Sequence, residues 1–429
     1  MDIEYTGLFS NSEACPVLIC TTLAEQELRY AINDRKLPKD EKKRHTFITK
    51  VALHHHDRGI LDKLIAEHMP KAAGGRTGRH REEFQWHLEQ FLLNLGRVLL
   101  CHQWLLVPEH RKHYTKGKTW LGNQGFQYQA CKTLMHYFRE LGLLTYKEGK
   151  AYETGSMASR VFPSKELAGD LAVLSLHTQQ EFSGNYVEFT DKESSYKELG
   201  KLSDDHPDTA AMNEINEFLD AHTWPLKAPL RLKYTSTPFE GGRIYTAFQS
   251  LPSRKYKVRQ NMLLDGEPVC EVDFSANHLR LALAVLVNKD AGDDPYTSIA
   301  ELAGKNTTRE HVKKFITVAM GAKNRGEAIG GALELGLSPK RFPHIESATV
   351  ELFPDVPLYE SFGVKAQSLE GQILLKAMQY GIQSNVPMLP LHDAVIVKAN
   401  DAAIAKKTLY RAWCEIAGGI DVEPRLATK

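Results

Sequence analysis

No uninterrupted apolar run in this chain reaches the roughly 20 residues needed to cross a bilayer, so no membrane association is expected. Excess charge of one sign is also missing. Lys+Arg number 54 against Asp+Glu 53, a formal net charge of +1, so any basic surface has to be local. Cysteine is scarce, with six in 429 residues at positions 15, 20, 101, 131, 270 and 414. They share no repeating interval, which excludes a disulfide framework and favours six reduced thiols in a cytoplasmic protein. Cys131 and Cys270 stand at core-like positions. The start of the chain, MDIEYTGLF, has no basic segment followed by a long apolar run, so no signal peptide is expected. No internal repeat is visible. What is present is ordinary globular composition, 42% hydrophobic and 25% charged, in a chain long enough for two or three domains.

The most informative stretch is Pro268 to Arg280, PVCEVDFSANHLR. Cys270, Val272 and Phe274 alternate with Glu271 and Asp273, as in a strand. The period then turns helical through Leu279, Leu281, Leu283, Leu286 and Val287. An acid where a buried strand meets a buried helix needs compensation by a cation or firm hydrogen bonds. A lone Asp there reads equally well as a turn former. A second acid in a similar setting favours the functional reading. Asp393 lies in MLPLHDAVIVKA, between two short apolar runs that read as a tight hairpin around His392-Asp393. Two carboxylates on neighbouring apolar strands suit a pair of Mg²⁺ ions, with Mn²⁺ as a substitute. Such a pair assists phosphoryl transfer.

Between these acids lies TTREHVKKFITVAMG, Thr307 to Gly321. Thr307 and Glu310 fit a capping box. Val312, Phe315, Ile316 and Ala319 form an apolar stripe. Arg309 and Lys313 share another face, with Thr317 and Met320 beyond them. Two aligned cations suit a polyphosphate, although the same spacing also describes an ordinary solvated face.

In this order the segments resemble the motifs of family-A DNA polymerases and phage-type single-subunit RNA polymerases. DFSANHLR resembles motif A, Arg309 to Gly321 the fingers-helix motif B, and LHDAVIV motif C. AQSLEGQILLKAM (366–378) resembles the helix between B and C, and GRIYTAFQSLPSRKYKVR (242–259) the region ahead of A. The resemblance covers about Gly241 onward. It implies Asp273 and Asp393 as holders of two Mg²⁺, and Arg309 and Lys313 as triphosphate ligands, Lys313 with a catalytic role. It further implies Phe274, His278 and Met320 beside the nucleotide, and Arg243, Arg254, Arg259, Gln367 and His392 on template-primer DNA. The sequence departs from the family in three places. His278 replaces a Glu that crowds the ribose 2′-position, Met320 replaces a Tyr before glycine, and the fingers segment after Gly321 is short. No acid-rich exonuclease pattern precedes the core, so proofreading is not expected.

In the first half, His54-His55-His56-Asp57 invites a metal assignment that consecutive helical residues rarely fulfil. Asp34 to Lys50 reads as a charged loop entering a helix. Ala72 to Arg81 is a Gly-rich basic linker without the ending of a phosphate-binding loop. Phe84 to Leu105 is an amphipathic helix. Tyr128 to Leu141 is another, stopped by Gly142. A strand (Leu143–Tyr146), a basic turn and a returning strand (Ala151–Thr154) follow. This order resembles a winged-helix module, used for DNA or for packing. Lys132, Lys147, Lys150 and Arg160 would be its phosphate contacts. Gly330 to Phe353 reads as irregular and Ile420 to Leu426 as a final strand.

The expectation is an α+β protein. A right-hand polymerase core, with an antiparallel palm sheet, helical fingers and a small thumb, follows a mostly helical domain containing the winged-helix-like module. The expected divisions are 1–75 mixed, 76–170 winged-helix-like, 171–207 linker and 208–429 core. Expected partners are a DNA template-primer and nucleoside triphosphates. The alternatives are an RNA polymerase or primase on the same scaffold, a non-catalytic DNA-binding replication protein, and a metal-dependent nuclease.

Overall fold

The computed structural model describes residues 19–34, 36–38, 45–47, 50–53, 58–152, 155–182, 184–190, 206–235, 237–304, 306–418 and 422–429. The chain is a mixed α+β protein with several antiparallel sheets, and it divides into two compact units. The first comprises Met1–Ser183, His222–Pro229 and Thr246–Pro268. The second comprises Gly184–Ala221, Leu230–Tyr245 and Val269–Lys429. This division differs from the four consecutive segments expected. Two short stretches of the expected core, including Arg254 and Arg259, belong to the first unit. The tri-histidine lies outside the described residues.

In the first unit, α1 (Thr22–Asn33), β1 (His45–Phe47) and β2 (Ala52–Leu53) precede α2 (Gly59–Ala72) and α3 (Gly78–Cys101). A strand thus stands at 45–47, where the sequence suggested the approach to a helix. α3 starts inside the expected linker and ends at His102, whose left-handed φ of 53° turns the chain into β3 (Trp104–Leu106). There follow α4 (Trp120–Asn123), α5 (Tyr128–Glu140), β4 (Leu144–Lys147), β5 (Lys150–Tyr152), β6 (Gly155–Met157) and β7 (Arg160–Pro163). Gly142, at φ 70°, stops α5 as expected. The strand returning against β4 is β7, not residues 151–154. β5 pairs instead with β6 as a separate short hairpin. β1, β3, β7 and β4 form one sheet in that order.

α6 (Lys165–Leu176) and β8 (Thr178–Gln179) occupy the start of the expected polar linker. Eight residues of α6 are buried, and Gly96 of α3 lets the Leu171 carbonyl approach so closely that a Cβ would clash. Arg160, expected on phosphate, is 2% exposed and donates to the Glu148 carbonyl at 3.1 Å. Its guanidinium is spent inside the unit. Cys131 is buried, while Cys270 is only half-buried, and all five described cysteines are free.

The second unit opens with β9 (Val187–Thr190) and α7 (Pro207–Asp220). β10 (Arg231–Thr235) and β11 (Thr237–Tyr245) form an antiparallel pair, and β9 adds to β10 in parallel. β12 (Leu263–Leu264), in the first unit, pairs with the opening residues of β13 (Glu267–Phe274). Beyond Pro268, β13 runs between β15 (Ala394–Lys398) and β16 (Leu426–Thr428), and β14 (Leu389–Leu391) lies outside β15. The last strand therefore begins at Leu426. Around this sheet stand α8 (Asn277–Val287), α9 (Pro295–Leu302), α10 (Arg309–Gly321), α11 (Arg325–Glu334), α12 (Phe342–Leu352), α13 (Phe362–Gln383) and α14 (Ala402–Ala417).

α11 and α12 fill the region read as irregular. Asn324 caps α11 at the Glu327 N–H, and Phe342 and Ile345 anchor α12 in the core, overriding weak local propensity. α10 opens one residue later than expected. Its cap is Thr308, and His311 rather than Glu310 closes the box. Among the described residues no helix is long and apolar enough to cross a membrane.

Candidate active site

The strand-turn-helix expected at 268–280 is present. β13 ends at Phe274, Ser275 and Ala276 turn the chain, and α8 starts at Asn277. Ala276 takes a left-handed φ of 52° to make the turn. The buried Arg280 holds it from below, donating to the carbonyls of Ser275 (2.9 Å), Gly292 (2.7 Å) and Asp293 (2.8 Å). Asp273 is thereby fixed on a strand flanked by Ala394 on one side and Ala427 on the other.

The hairpin of β14 and β15 turns through His392, at φ 59°, and Asp393. The Asp393 carbonyl accepts from the Phe274 N–H at 3.5 Å. The ladder therefore sets the two acids side by side, although 120 positions separate them in the sequence.

Both acids line one cleft of about 480 Å³ within the second unit. Arg309 and Lys313 of α10 line the same cleft, with Arg243 of β11, Tyr296 of α9 and Glu370 of α13. Arg309 is held by Asp294 at 2.8 Å and lies over the Tyr296 ring, 5.4 Å from its centre. Lys313 is exposed and makes no ion pair with a described residue. Nε of Arg243 is buried with no hydrogen-bond partner. Lys429 lines it too, so four cations and three carboxylates share one lining.

Glu370 is the member that sequence reasoning missed. It is 3% exposed. One oxygen accepts from the Asn277 amide at 3.0 Å, and the other lies 3.0 Å from Nε2 of His278. The Asn277 carbonyl oxygen in turn accepts from the Trp413 indole at 3.1 Å, which ties α14 to α8 and α13. Burial works against the charged form of His278, but the Glu370 carboxylate more than offsets it and the imidazole pKa is raised. The Asp393 pKa rises as well, which here favours the neutral form. Burial, then the charges of Glu370 and Asp273, push its carboxyl up to about 7.

Crowded hard oxygens of this kind are relieved by a divalent cation. Among the described residues no group of three or more His, Cys, Asp or Glu side chains is gathered tightly enough to enclose a metal. In the present arrangement the Lys429 ammonium sits on Asp273 and also reaches Glu271 at 3.3 Å.

The other expected site residues divide. Phe274 and His278 line the cleft. Met320 does not: it is 0% exposed and packs in the core with Val312, Phe315, Ile316 and Ala319. It falls on the apolar stripe of α10, four residues beyond Ile316, whereas Thr317 continues the cationic face. Gln367 is half-buried one turn before Glu370, and His392 is exposed at the hairpin tip, both outside the lining. Arg254 is exposed in the first unit, where Arg259 reaches the Gln249 carbonyl at 3.5 Å. Lys132 lies over the Tyr128 ring (5.8 Å) and Lys147 over the Trp104 ring (4.8 Å). The side chain of Lys150 is outside the described set.

No family model matches the chain, and no curated protein does either. Among solved structures it is similar to the POL domain of Pol1 from M. smegmatis in complex with DNA primer-template and dNTP, with a TM-score of 0.38 and 12% identity. That alignment takes in 96% of this chain, which spans 66% of the other.

Proposed function

We propose that the second unit is the core of a template-directed nucleotidyltransferase, a compact DNA polymerase without proofreading that extends a primer with nucleoside triphosphates. The observation that carries this reading is the single cleft in which Asp273 and Asp393 meet Arg309 and Lys313. A nuclease would use the acids but has no need of a cationic helix suited to a polyphosphate.

Asp273 and Asp393 would hold two Mg²⁺ ions. Bound there, these ions would supply Lewis-acid activation of the attacking and leaving oxygens. In the reaction the primer 3′-oxygen attacks the α-phosphorus, and the bond to the β-phosphate oxygen breaks to release pyrophosphate. Arg309 would grip the β,γ-phosphates through its planar fork, preset by Asp294 and Tyr296. Lys313 would place its ammonium where negative charge grows on the leaving oxygens. Arg243, in the cleft lining, would meet a template-primer phosphate. Glu370 and Asn277 position His278 beside the sugar. In the first unit the strand order β3-β7-β4, with α5 between β3 and β4 in the chain, supports a winged-helix module, with Lys132 and Lys147 near its duplex contact.

The test is incorporation of labelled nucleotides by wild type and Asp273→Ala, with dNTPs and NTPs, on primed and unprimed templates. Extension by wild type and none by the variant, with equal template binding, supports the reading. Preference for NTPs, or synthesis without a primer, moves it to an RNA polymerase or primase, which the His at 278 favours. No incorporation by wild type under Mg²⁺ or Mn²⁺ removes it in favour of a non-catalytic DNA-binding protein.

A further inference from the structure

Between Glu109 and Glu140 the chain carries no acidic residue. The 30 intervening positions hold Arg111, Lys112, Lys116, Lys118, Lys132 and Arg139, six cations in a chain whose whole formal charge is +1. Four of them crowd into eight positions, RKHYTKGK, ahead of α4.

That segment is a built knuckle. Its short 3-10 turn, Arg111–Tyr114, packs against α4 and α5. Tyr114 is buried, donates to the Pro108 carbonyl at 2.9 Å, and sets its ring 5.8 Å from that of Tyr128, at the start of α5. The Gly117 N–H donates to Asn123 Oδ1 at 2.7 Å, and Thr119 Oγ1 bonds back to the Thr115 carbonyl at 3.1 Å. Gly122 lies so close to the Thr115 backbone that any Cβ would collide with it. Anchored from beneath in this way, Arg111, Lys112, Lys116 and Lys118 are all exposed, and none forms an ion pair with a described residue. Several like charges held together on a fixed loop raise the local positive potential and attract a polyanion.

The exposed side of α5 continues this chemistry. Gln129 lines two adjoining cavities, each of about 340 Å³. One contains Lys71, Lys132 and His136, and the other Arg76 and His80. Of the two acids in these linings, Glu83 is paired with Arg79 at 2.9 Å and Glu140 ends the helix.

We propose that the knuckle Arg111–Lys118 is a clamp for the phosphate backbone of a nucleic-acid duplex, with the exposed face of α5 directed at its groove. Phosphates repeating along a duplex match a row of fixed cations, and a helix face of this width fits a major groove. The site lies in the first unit and does not depend on the chemistry proposed for the second.

The experiment uses the full chain, a labelled 30-base-pair DNA duplex and the matching single strand, followed by fluorescence anisotropy without nucleotide or divalent metal. The variant carries Arg111→Ala, Lys112→Ala, Lys116→Ala and Lys118→Ala together. All four side chains are exposed, and an unchanged thermal unfolding midpoint confirms the fold. Duplex affinity is expected to fall at least about a hundredfold at 0.1 M salt. The plot of log K against log salt is expected to flatten by about 3 to 4, near 0.9 per lost phosphate contact. A variant that binds duplex like wild type with the same slope overturns the proposal. So does tighter wild-type binding of the single strand, or a loss produced by Trp120→Ala alone with the slope unchanged, which would signal base stacking. Asp273→Ala, run alongside, is expected to bind duplex normally, so failure of the polymerase reading leaves this result intact.

Discussion

Nε2 of His278 lies 3.0 Å from a carboxylate oxygen of Glu370, which is almost wholly enclosed by α13, α8 and the sheet. Glu370→Ala leaves both His278 and the Asn277 amide without their acceptor. The expected cost is about 3 kcal/mol, typical for breaking a buried charged pair, and urea unfolding measures it.

The same pair gives stability a pH dependence. The raised His278 pKa means that the folded state holds the imidazole proton more tightly than the unfolded chain does. This contribution is fully present below the unfolded value of about 6.5 and is lost as pH rises through the higher folded value. Glu370→Gln is expected to flatten that decline. Parallel unfolding curves for the two proteins across neutral pH would reject the assignment.

Lys313→Ala is expected to lower incorporation by about 10² to 10³, the usual cost of losing one preorganised charge at a developing anion. Template-primer affinity should stay the same, because the loss concerns the leaving group. Single-turnover extension and an anisotropy titration, side by side, separate the two quantities.

Lys429 competes with any cation for Asp273. Lys429→Ala is expected to tighten Mn²⁺ binding by up to about fivefold, the equivalent of the ~1 kcal/mol an exposed ion pair contributes. Calorimetric or electron-resonance titration of Mn²⁺ reads this without any turnover. Weaker binding in the variant would show that Lys429 supports the site instead of screening it.

At Gly371, Ala is expected to be poorly tolerated, since its methyl would fall on the Gly242 carbonyl oxygen where α13 crosses β11. Backbone cannot yield as a side-chain tip can, so the cost should reach or exceed the 1–3 kcal/mol typical of overpacking. An unchanged urea midpoint would count against so close a crossing.

This crossing also shows where sequence reading ran out. The strand-turn-helix around Asp273 and the hairpin around Asp393 were legible because each is written locally, as alternation broken by turn residues. Glu370 was not. Within AQSLEGQILLKAM a lone acid looks solvent-facing, and only the meeting of Gly371 with Gly242 draws it inward. Met320 lies four residues beyond Ile316, so the apolar stripe and not the cationic face decides where its side chain goes. The Arg111–Lys118 knuckle was readable from the long interval without acids, a signal hidden by the balanced charge of the whole chain.

The apolar stripe of α10, locked into the core through Val312, Phe315 and Ile316, keeps that helix from rolling. Arg309 and Lys313 therefore stand at a set interval, about 6 Å along the axis at 1.5 Å per residue. The helix behaves as a ruler for its ligand. If the two cations bind phosphate as proposed, a molecule charged at one point would satisfy only one graduation and a chain of phosphates would span both, so a triphosphate would be preferred over a monophosphate.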